Sequence, residues 1–388
     1  MFYPAFVTGF RIPFFKPSID DDDIAAVVET LRSGWLTSGP NVRALEEELA
    51  AYCGAKYVNA VNSCTAAMHL ALRAWRIGPG DEVITTPYTF SATVTVIVHC
   101  GATPVLVDVR ERDANIDPEL IERAITPRTK AIMPVHFAGE PCDMDAIMDI
   151  AKRHGLRVLE DAAHAIGAMY RGRPVGSIGD ATAFSFYATK NMTTGEGGAL
   201  ATDDEETSER VRVLTLHGMT KDAWNRYDVG GSWRYDIGEF GFKDNLTDLA
   251  AALGRRQLKK LDRFTEQRTR VAERYFANLR DLEHLQLPGF SEGNRHAWHL
   301  FVVRVRESSP VGRDDVIRKL AERGIQTSVH FIPIHYHSAY QRLGYWKKGD
   351  FPVAERIFEG AISLPMFPDM TDAEVDEVCE ALRSILAG

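Results

Sequence analysis

The chain has 388 residues, of which 45% are hydrophobic and 26% are charged, a composition typical of a globular protein. This length exceeds the size at which one hydrophobic core usually keeps growing, so two domains are expected. The formal net charge of −9 at pH 7 argues against a nucleic-acid binder, because affinity for nucleic acid rests largely on Lys and Arg that neutralise phosphates.

The first fifteen or so residues, MFYPAFVTGFRIPFF, are apolar but are interrupted by two prolines, a glycine and an arginine. They lack the charged n-region and the small-residue cleavage site of a signal peptide. The most apolar stretch, residues 92–109, is broken by histidine, glycine, proline and aspartate, so no membrane span is expected. Five scattered cysteines without a CxxC pair favour a reduced compartment over a disulfide framework or a zinc site. These features predict a cytoplasmic protein without a metal centre.

Between Val58 and about Asp203, short β-rich runs alternate with helical or turn segments. The runs are continuously apolar, which is typical of parallel strands buried on both faces. The helices carry their own signals: one runs from Asn41 to Gly54, and DMDAIMDIAKRHG begins with an Asp cap and ends on Gly155. The pattern predicts an α/β fold, with a mostly parallel sheet flanked by helices. The predicted strands are KYVNAV, DEVITT, ATPVLVDV, KAIMPVHF, LRVLED, ATAFSFYA and GALATDD.

The segment VNSCTAAMHLAL begins an apolar helix with small polar residues. Ser63, Cys64 and Thr65 occupy its start, where free backbone N–H groups and the positive end of the helix dipole favour a phosphate. Taken alone, the segment is equally an ordinary capped helix. A phosphate site here therefore depends on what lies nearby.

Two further segments supply an acid and an amine. Asp161 follows the apolar run LRVLE and should lie at the carboxyl end of its strand, the edge at which open parallel sheets bind ligands. Lys190 follows the next run and precedes a glycine-rich turn. Alone, such an aspartate is more often a helix cap, and such a lysine is usually solvated. Together they suit pyridoxal 5'-phosphate (PLP), to which the lysine bonds covalently while the carboxylate keeps the pyridine nitrogen protonated.

Several common catalytic signatures are missing, namely GxGxxG, GxxxxGK[ST], HExxH and GxSxG. A NAD-dependent oxidoreductase would suit the α/β pattern, but the glycine fingerprint that would support it is absent. Dinucleotide, P-loop, zinc-protease and hydrolase sites therefore lose their usual support.

After Asn245 a long helical pattern leads towards a second unit. In this unit HAWHLFVVRV and SVHFIPI are predicted strands, DDVIRKLAERG is a predicted helix, and a final helix begins at Thr371, which indicates a smaller α+β domain. We place the boundary near Asp262. The expected division is a large domain with the N-terminal segment, residues 1–262, and a small C-terminal domain, residues 263–388.

These ordered segments resemble a known family, the nucleotide-sugar aminotransferases of the DegT type within the fold type I, or aspartate aminotransferase, superfamily. The resemblance covers essentially the whole chain. It implies PLP as the cofactor, a two-domain fold, and a homodimer whose active sites lie at the subunit interface. The matching segments are GWLTSGPNVRALEEELA, GDEVITTPYTFSAT, GATPVLVDV, EDAAHAIGA, SFYATKNMTTGEGG, NLTDLAAALGRRQLKKL and SLPMFPDM.

By motif, Lys190 matches the lysine that carries the cofactor, and Asp161 matches the partner of the pyridine nitrogen. His164 occupies the Gln or His position of the DAA[QH]A motif, which implies a hydrogen bond to the cofactor's phenolic oxygen. Phe90 matches the aromatic residue that stacks on the cofactor ring. Each of these also has a plainer reading as a core aromatic, a cap or a strand residue. The positions that match the phosphate site are Thr65, the Ala66 amide and Ser185.

One departure from the family pattern concerns the contact that the partner subunit makes to the PLP phosphate. Many members read GYNYRLTD where this chain reads GFKDNLTD, so the contact could fall to Asn245 or to Lys243, and we favour Asn245. Some members replace the cofactor lysine with histidine and become dehydratases. This chain keeps Lys190, which favours amino transfer.

The segments HAWHLFVVRV and TSVHFIPIHYHSAY resemble members that aminate C4 of UDP-linked 4-keto sugars. The resemblance therefore implies transfer from L-glutamate to a nucleotide-linked keto-sugar, in amino-sugar and cell-surface polysaccharide biosynthesis. Histidines beside apolar strand residues are more often structural, so the substrate contacts are hypotheses. The candidates for substrate contact are Trp35, Thr37, Glu196, Lys243, His330, His335 and Tyr336.

Two alternatives stay open at this point. The family motifs do not separate C4 amination from C3 amination of a dTDP-linked 3-keto deoxysugar. A PLP-binding regulator that keeps the cofactor without turnover is the alternative from another class of protein. Such a regulator is expected to carry an additional DNA-binding region, and no basic helix-turn-helix is evident in this sequence.

Overall fold

The computed structural model describes residues 9–219 and 235–387. The expectation of a chain without a signal peptide rests partly on residues 1–8, which lie outside the described residues. In the part of the chain that is described, no helix combines the length and the apolarity that a membrane span needs.

The strands are short, and most of them are continuously buried. Their bounds are β1 (Tyr57–Val61), β2 (Glu82–Thr85), β3 (Thr103–Leu106), β4 (Thr129–Ile132), β5 (Arg157–Asp161), β6 (Met169–Tyr170), β7 (Arg173–Pro174), β8 (Ala181–Ser185), β9 (Gly198–Thr202), β10 (Leu285–Gln286), β11 (Phe301–Val305) and β12 (Ala361–Leu364).

Seven of the described strands form the main sheet, in the order β1-β9-β8-β5-β4-β2-β3. Neighbouring strands from β8 to β3 pair in parallel, whereas β9 runs antiparallel to both β8 and β1. The prediction of a mostly parallel sheet is confirmed, with β9 as the strand that runs the opposite way.

The helices begin and end largely where the sequence signals stand. Asp143 caps the helix predicted in DMDAIMDIAKRHG, and Gly155 ends it in the left-handed conformation. Thr371 caps the final helix through a capping box with Glu374. The helix bounds are α1 (Asp21–Ser33), α2 (Pro40–Cys53), α3 (Cys64–Ala74), α4 (Ser91–His99), α5 (Pro118–Ala124), α6 (Met144–His154), α7 (Glu205–Thr215), α8 (Asp248–Leu279), α9 (Arg313–Glu322), α10 (Ser338–Gln341), α11 (Pro352–Gly360) and α12 (Asp372–Leu386).

Helices cover both faces of the main sheet. Successive residues of a strand point to opposite faces, so Leu200 of β9 packs on the core that contains α3, α4 and α7. Its neighbours Ala199 and Ala201 pack on the core that contains α2 and the first half of α8. The parallel strands share one direction, so their carboxyl ends lie at one edge of the sheet.

The C-terminal unit is an antiparallel sheet in the order β10-β11-β12, packed against α9, α12 and the second half of α8. The prediction of a strand in SVHFIPI is wrong. Only Ser328 in this segment pairs, through a single bridge to Ser363. The chain then crosses to the large unit, where the Ile334 N–H donates to the Pro87 carbonyl oxygen. This crossing takes its backbone away from any sheet.

Helix α8 is continuous from Asp248 to Leu279, so Asp262 lies inside it rather than in a linker. The first half of the helix packs under the main sheet and the second half packs in the C-terminal core. Ile12 of the N-terminal segment also belongs to that C-terminal core and forms a bridge with Ile325. The division into residues 1–262 and 263–388 stays a prediction.

Candidate active site

Asp161 lies where the sequence predicts it, as the last residue of β5. Its side chain is buried, and its carboxylate accepts hydrogen bonds from Thr93 Oγ1 at 2.7 Å and from the Ala163 N–H at 3.1 Å. Burial raises the pKa of Asp161, and the Thr93 hydrogen bond opposes this shift. The edge of the sheet therefore holds an acid in a protected, hydrogen-bonded setting.

Lys190 lies in the turn that follows β8, and its N–H donates to the Tyr187 carbonyl oxygen at 2.9 Å. Its side chain is partly buried. Among the described residues no ion pair or side-chain hydrogen bond to Lys190 is present. Burial lowers its pKa to about 8, although Cys64 and the Asp161 carboxylate act in the opposite direction. The result is an amine that gives up its proton more readily than an ordinary lysine.

His164 lies next to this pair, and its Nδ1 accepts a hydrogen bond from the Ala138 N–H at 3.3 Å. Burial lowers its pKa well below the usual value, and nearby Lys190 adds to this effect. The ring is therefore neutral with its proton on Nε2. Phe331 stacks on this ring, with centroids 5.7 Å apart, and also contacts Phe90 at 6.3 Å. Phe90 itself is 63% exposed, so one face of an aromatic residue lies open at the site.

The predicted phosphate segment lies at the start of α3. Ser63 caps the helix by accepting a hydrogen bond from the Ala66 N–H at 3.1 Å. The Ala66 amide is thus engaged within the chain. The amides of Cys64 and Thr65 occupy the first helical positions, where the helix offers them no carbonyl partner. In the described part of the chain no hydrogen bond from these two N–H groups is present, so they, rather than that of Ala66, remain available as donors.

Pairing between neighbouring strands brings the remaining phosphate candidates, Asn245 and Ser185, to the same edge of the sheet. Asn245 pairs with Val61, Val61 pairs with Gly198, and Gly198 pairs with Ser185. A Cβ on Gly198 would lie 2.4 Å from the Ser63 carbonyl carbon. The absence of a side chain at this position lets the start of α3 meet the end of β8.

The side chains of Asn245 and Lys243 are hydrogen-bonded to each other within this chain. Lys243 Nζ donates to Asn245 Oδ1, and Asn245 Nδ2 donates to Ser38 Oγ at 2.7 Å. Lys243 is exposed and Asn245 is partly exposed. Both side chains therefore remain candidates for a contact with a second subunit.

Three further substrate candidates make their hydrogen bonds to residues other than Lys190. Trp35 Nε1 donates to the Ser38 carbonyl oxygen at 3.0 Å, and the Thr37 carbonyl oxygen accepts from the Asp248 N–H. Glu196 is exposed, and its carbonyl oxygen accepts from Thr194 Oγ1. In the described ranges no hydrogen bond joins these three candidates to Lys190.

The three candidates of the HFIPIHY segment differ in their surroundings. His330 is partly buried, and its Nδ1 is hydrogen-bonded with Ser363 Oγ at 2.8 Å. Its pKa is lowered to about 4 by burial and by Lys190. His335 is fully buried, and its Nε2 contacts Glu355 Oε1 at 2.8 Å. Tyr336 packs edge-on against the His335 ring. Lys190 lies close enough to His330 to contribute to its lowered pKa.

Thr93, Phe331 and Gly198 all touch candidate residues, although none of the three is among the site residues predicted from the sequence. Thr93 lies three positions after Phe90, so a search of the PYTFSAT motif for polar residues facing Phe90's side of the helix could have found it. Nothing in the local pattern identifies Phe331 or Gly198, because their partners are far away in the sequence.

Comparison with known proteins gives consistent results. The sequence model of the DegT/DnrJ/EryC1/StrS aminotransferase family matches residues 17–383. The spore coat polysaccharide biosynthesis protein SpsC of Bacillus subtilis is 54% identical over 379 residues, which cover 97% of each chain. The putative sugar aminotransferase Spr1654 from Streptococcus pneumoniae, in its PMP form, superposes with a TM-score of 0.92 at 38% identity, over 97% of this chain and 99% of that one. A PLP form of the same protein has also been solved. Helicobacter pylori PseC, an aminotransferase involved in the biosynthesis of pseudoaminic acid, gives a TM-score of 0.89 at 30% identity, over 97% and 99% of the two chains.

Proposed function

Because the chain belongs to the DegT/DnrJ/EryC1/StrS aminotransferase family, and is thus a PLP-dependent sugar aminotransferase, we propose that it transfers the amino group of L-glutamate to C4 of a UDP-linked 4-keto sugar. The family membership confirms the resemblance found in the sequence motifs. The 54% identity to a spore coat polysaccharide biosynthesis protein supports a role in cell-surface polysaccharide synthesis. The likeness to an aminotransferase of pseudoaminic acid biosynthesis supports an amino-sugar product.

The single observation that carries amino transfer on PLP is the proximity of Lys190 to Asp161. The amine lies without an ion-pair partner in the described part of the chain, its pKa is lowered to about 8, and the buried carboxylate of Asp161 lies close enough to influence that pKa. An exposed lysine would keep its ordinary pKa and would have no buried carboxylate beside it. A lysine that must react with a carbonyl group needs the lowered pKa, and the carboxylate suits the pyridine nitrogen of the cofactor.

The other groups at the sheet edge have the chemistry that PLP requires. The open amides of Cys64 and Thr65 and the hydroxyl of Ser185 suit a phosphate. His164 offers an Nε2–H donor for the phenolic oxygen, because its Nδ1 already accepts from Ala138. The exposed ring of Phe90 is available for stacking. This donor set fits the cofactor.

When bound, PLP supplies an electron sink and a carrier for the amino group. Lys190 would hold the cofactor through its Nζ and, once released, would accept and return a proton at that atom. Asp161 would hold the proton of the pyridine nitrogen, and Thr93 would keep the carboxylate oriented. We propose His330 as the substrate contact closest to this chemistry.

We further propose a homodimer in which Asn245, or alternatively Lys243, reaches the phosphate site of the partner subunit. A strongly exposed apolar segment lies just before these residues, with Phe240 93% exposed and Ile237 52% exposed. Such a patch is typical of a surface that a protein partner covers. A cytoplasmic location is proposed because all five cysteines are buried and free.

The function is tested with purified protein, L-glutamate and a panel of UDP- and dTDP-linked keto-sugars. We expect catalytic turnover, measured as 2-oxoglutarate, only when a UDP-linked 4-keto sugar is present. NMR of the product should place the new C–N bond at C4. Amination of a dTDP-linked 3-keto sugar at C3 would establish the alternative instead. A protein that binds PLP but produces no 2-oxoglutarate with any acceptor would contradict both and favour a regulator. The Lys190→Ala variant serves as the inactive control.

A further inference from the structure

The residue that follows Lys190 in the chain forms two buried hydrogen bonds. Asn191, the next residue in the chain, donates from Nδ2 to the Ala297 carbonyl oxygen at 2.7 Å. Its Oδ1 lies 3.2 Å from His299 Nδ1. Because the carbonyl of Ala297 can only accept, the amide orientation of Asn191 is fixed, and His299 must be the donor at Nδ1. Asn191 and His299 are 4% and 5% exposed, so water does not compete for this bond.

The same His299 ring packs against His164, with centroids 4.3 Å apart and planes inclined by 38°. Both residues are hydrogen-bonded to the backbone of Ala138. The Ala138 N–H donates to His164 Nδ1 at 3.3 Å, and its carbonyl oxygen accepts from the His299 N–H at 2.9 Å. One backbone residue therefore sets the positions of both rings, and His299 contacts two different groups of the candidate site.

The segment that carries His299 is held from the other side by Arg268. Its Nη1 donates to the carbonyl oxygens of Trp298 and His299 at 3.2 and 3.3 Å. Burial lowers the pKa of His299 well below its usual value, and His164 and Lys190 add to this effect. A ring held in this way stays neutral and keeps its proton on Nδ1, as the bond to Asn191 requires.

We propose that His299 is a positioning residue of the active site, which holds the Lys190 turn through Asn191 and holds His164 through ring contact. The inference rests on the proposed function, in which Lys190 carries the cofactor and His164 donates to its phenolic oxygen. A histidine that only filled the core would stabilise the fold but would leave the cofactor's environment unchanged.

Two variants separate the two contacts. His299→Asn keeps an N–H donor close to the position of Nδ1 but removes the ring, whereas His299→Phe keeps a ring against His164 but removes the donor. The matched control is His296→Phe, since His296 is also buried and stacks on Trp298 at 3.8 Å but has no hydrogen bond or ring contact with Asn191 or His164 among the described residues.

The readouts are the PLP dissociation constant, the pH titration of the bound cofactor's absorption, and urea unfolding of each variant. Loss of one neutral buried hydrogen bond predicts a PLP affinity about three- to tenfold weaker in His299→Phe, with a shifted absorption titration. His299→Asn should restore the affinity in part. His296→Phe should unfold at lower urea concentration and leave both cofactor readouts as in the unmodified protein.

If His299→Phe does not fold, Asn191→Leu removes the same hydrogen bond from its other end, together with the bond to Ala297, and should give at least the same loss of affinity and a shifted titration. The inference is overturned if His299→Phe, or Asn191→Leu in its place, titrates and binds PLP as the unmodified protein does. Failure of the proposed function looks different, because the unmodified protein itself would then form no borohydride-reducible adduct at Lys190.

Discussion

At the scale of single residues, the candidate site depends on how Asp161 is solvated inside the protein. Burial alone would favour the protonated acid, and the Thr93 hydroxyl at 2.7 Å compensates by donating to the charged form. Thr93 is fully buried, so no water can replace its hydroxyl group. The residue beside the acid therefore opposes the effect of burial on the acid's protonation.

We predict that Thr93→Val weakens catalysis by leaving Asp161 short of one donor. A hydrogen bond to a charged group contributes about 1.5–3 kcal/mol, so kcat/KM should fall by about ten- to a hundredfold. The control is Thr95→Val, the same change on the same helix, where the hydroxyl group lies 2.7 Å from Tyr340 Oη instead. Steady-state kinetics that show equal effects of the two changes would speak against a special role for Thr93.

The lowered pKa of Lys190 predicts how the stability of the cofactor-free protein changes with pH. In the cofactor-free chain its pKa is lowered from 10.5 to about 8, so between these values the unfolded chain binds more protons than the folded one. The contribution of this residue to the free energy of unfolding must then rise with pH across that window. Below pH 8 the full cost of burying the charge is present. Lys190→Met should therefore stabilise the cofactor-free protein at pH 7, with a gain that shrinks as the pH approaches 10.5.

This comparison uses urea unfolding of both proteins at several pH values, so that groups common to both cancel. Lys130→Met is the matched control, because Lys130 is exposed at the start of β4. A gain from Lys190→Met that stays constant from pH 7 to pH 10.5 would show that the charge of Lys190 is not involved.

At the scale of elements, the site exists because helix α3 and strands β8 and β9 meet at one edge. Gly198 begins β9 directly against the start of α3, and a Cβ there would lie 2.4 Å from the Ser63 carbonyl carbon and 2.5 Å from the Cys64 nitrogen. These neighbours are backbone atoms, which cannot rotate out of the way. The distance between the α3 amides and Ser185 therefore depends on this glycine.

We predict that Gly198→Ala moves the start of α3 away from the sheet. Overpacking of this kind costs about 1–3 kcal/mol of unfolding free energy, and the affinity for PLP, or for inorganic phosphate as a probe, should fall with it. Gly312→Ala is the control, since no atom lies within 4 Å of a Cβ at that position. Isothermal titration and thermal unfolding measure both effects; unchanged phosphate affinity in Gly198→Ala would separate α3 from the phosphate site.

At the scale of the whole molecule, the proposed homodimer predicts that two different inactive chains can restore one site. In a hybrid of Lys190→Ala with Asn245→Leu, both lesions fall in one site and the other site keeps Lys190 from one chain and Asn245 from its partner. Equal coexpression with random pairing should return about a quarter of the unmodified activity. Hybrids isolated by two affinity tags keep one of their two sites and should return about half of the unmodified activity when assayed directly.

The same experiment with Lys243→Met in place of Asn245→Leu decides between the two neighbouring candidates. Hybrids that form but regain no activity would place both residues within their own subunit's site, in agreement with the hydrogen bond from Asn245 to Ser38. Sedimentation that finds a fully active monomer would exclude shared sites altogether.

The sequence by itself determined the sheet, its helices and the acid and amine at its edge, because these follow from local patterns. Continuous apolar runs indicate buried parallel strands, and parallel strands bring their carboxyl ends together, so Asp161 and the Lys190 turn had to meet. Capping residues such as Asp143 and Thr371 marked helix starts correctly because a cap involves only its own turn.

Only the tertiary structure decided what surrounds that pair. Thr93, Gly198 and His299 act through residues that are distant in sequence, and no short pattern records which side chains packing brings into contact. The segment SVHFIPI shows the same limit, because its apolar composition is typical of a strand. Its backbone pairs only at Ser328, since beyond that residue the segment is bound to the large unit, where His330 O accepts from Tyr88 Oη. Hydrogen bonds between distant parts of the chain, and not local propensity, determine its conformation.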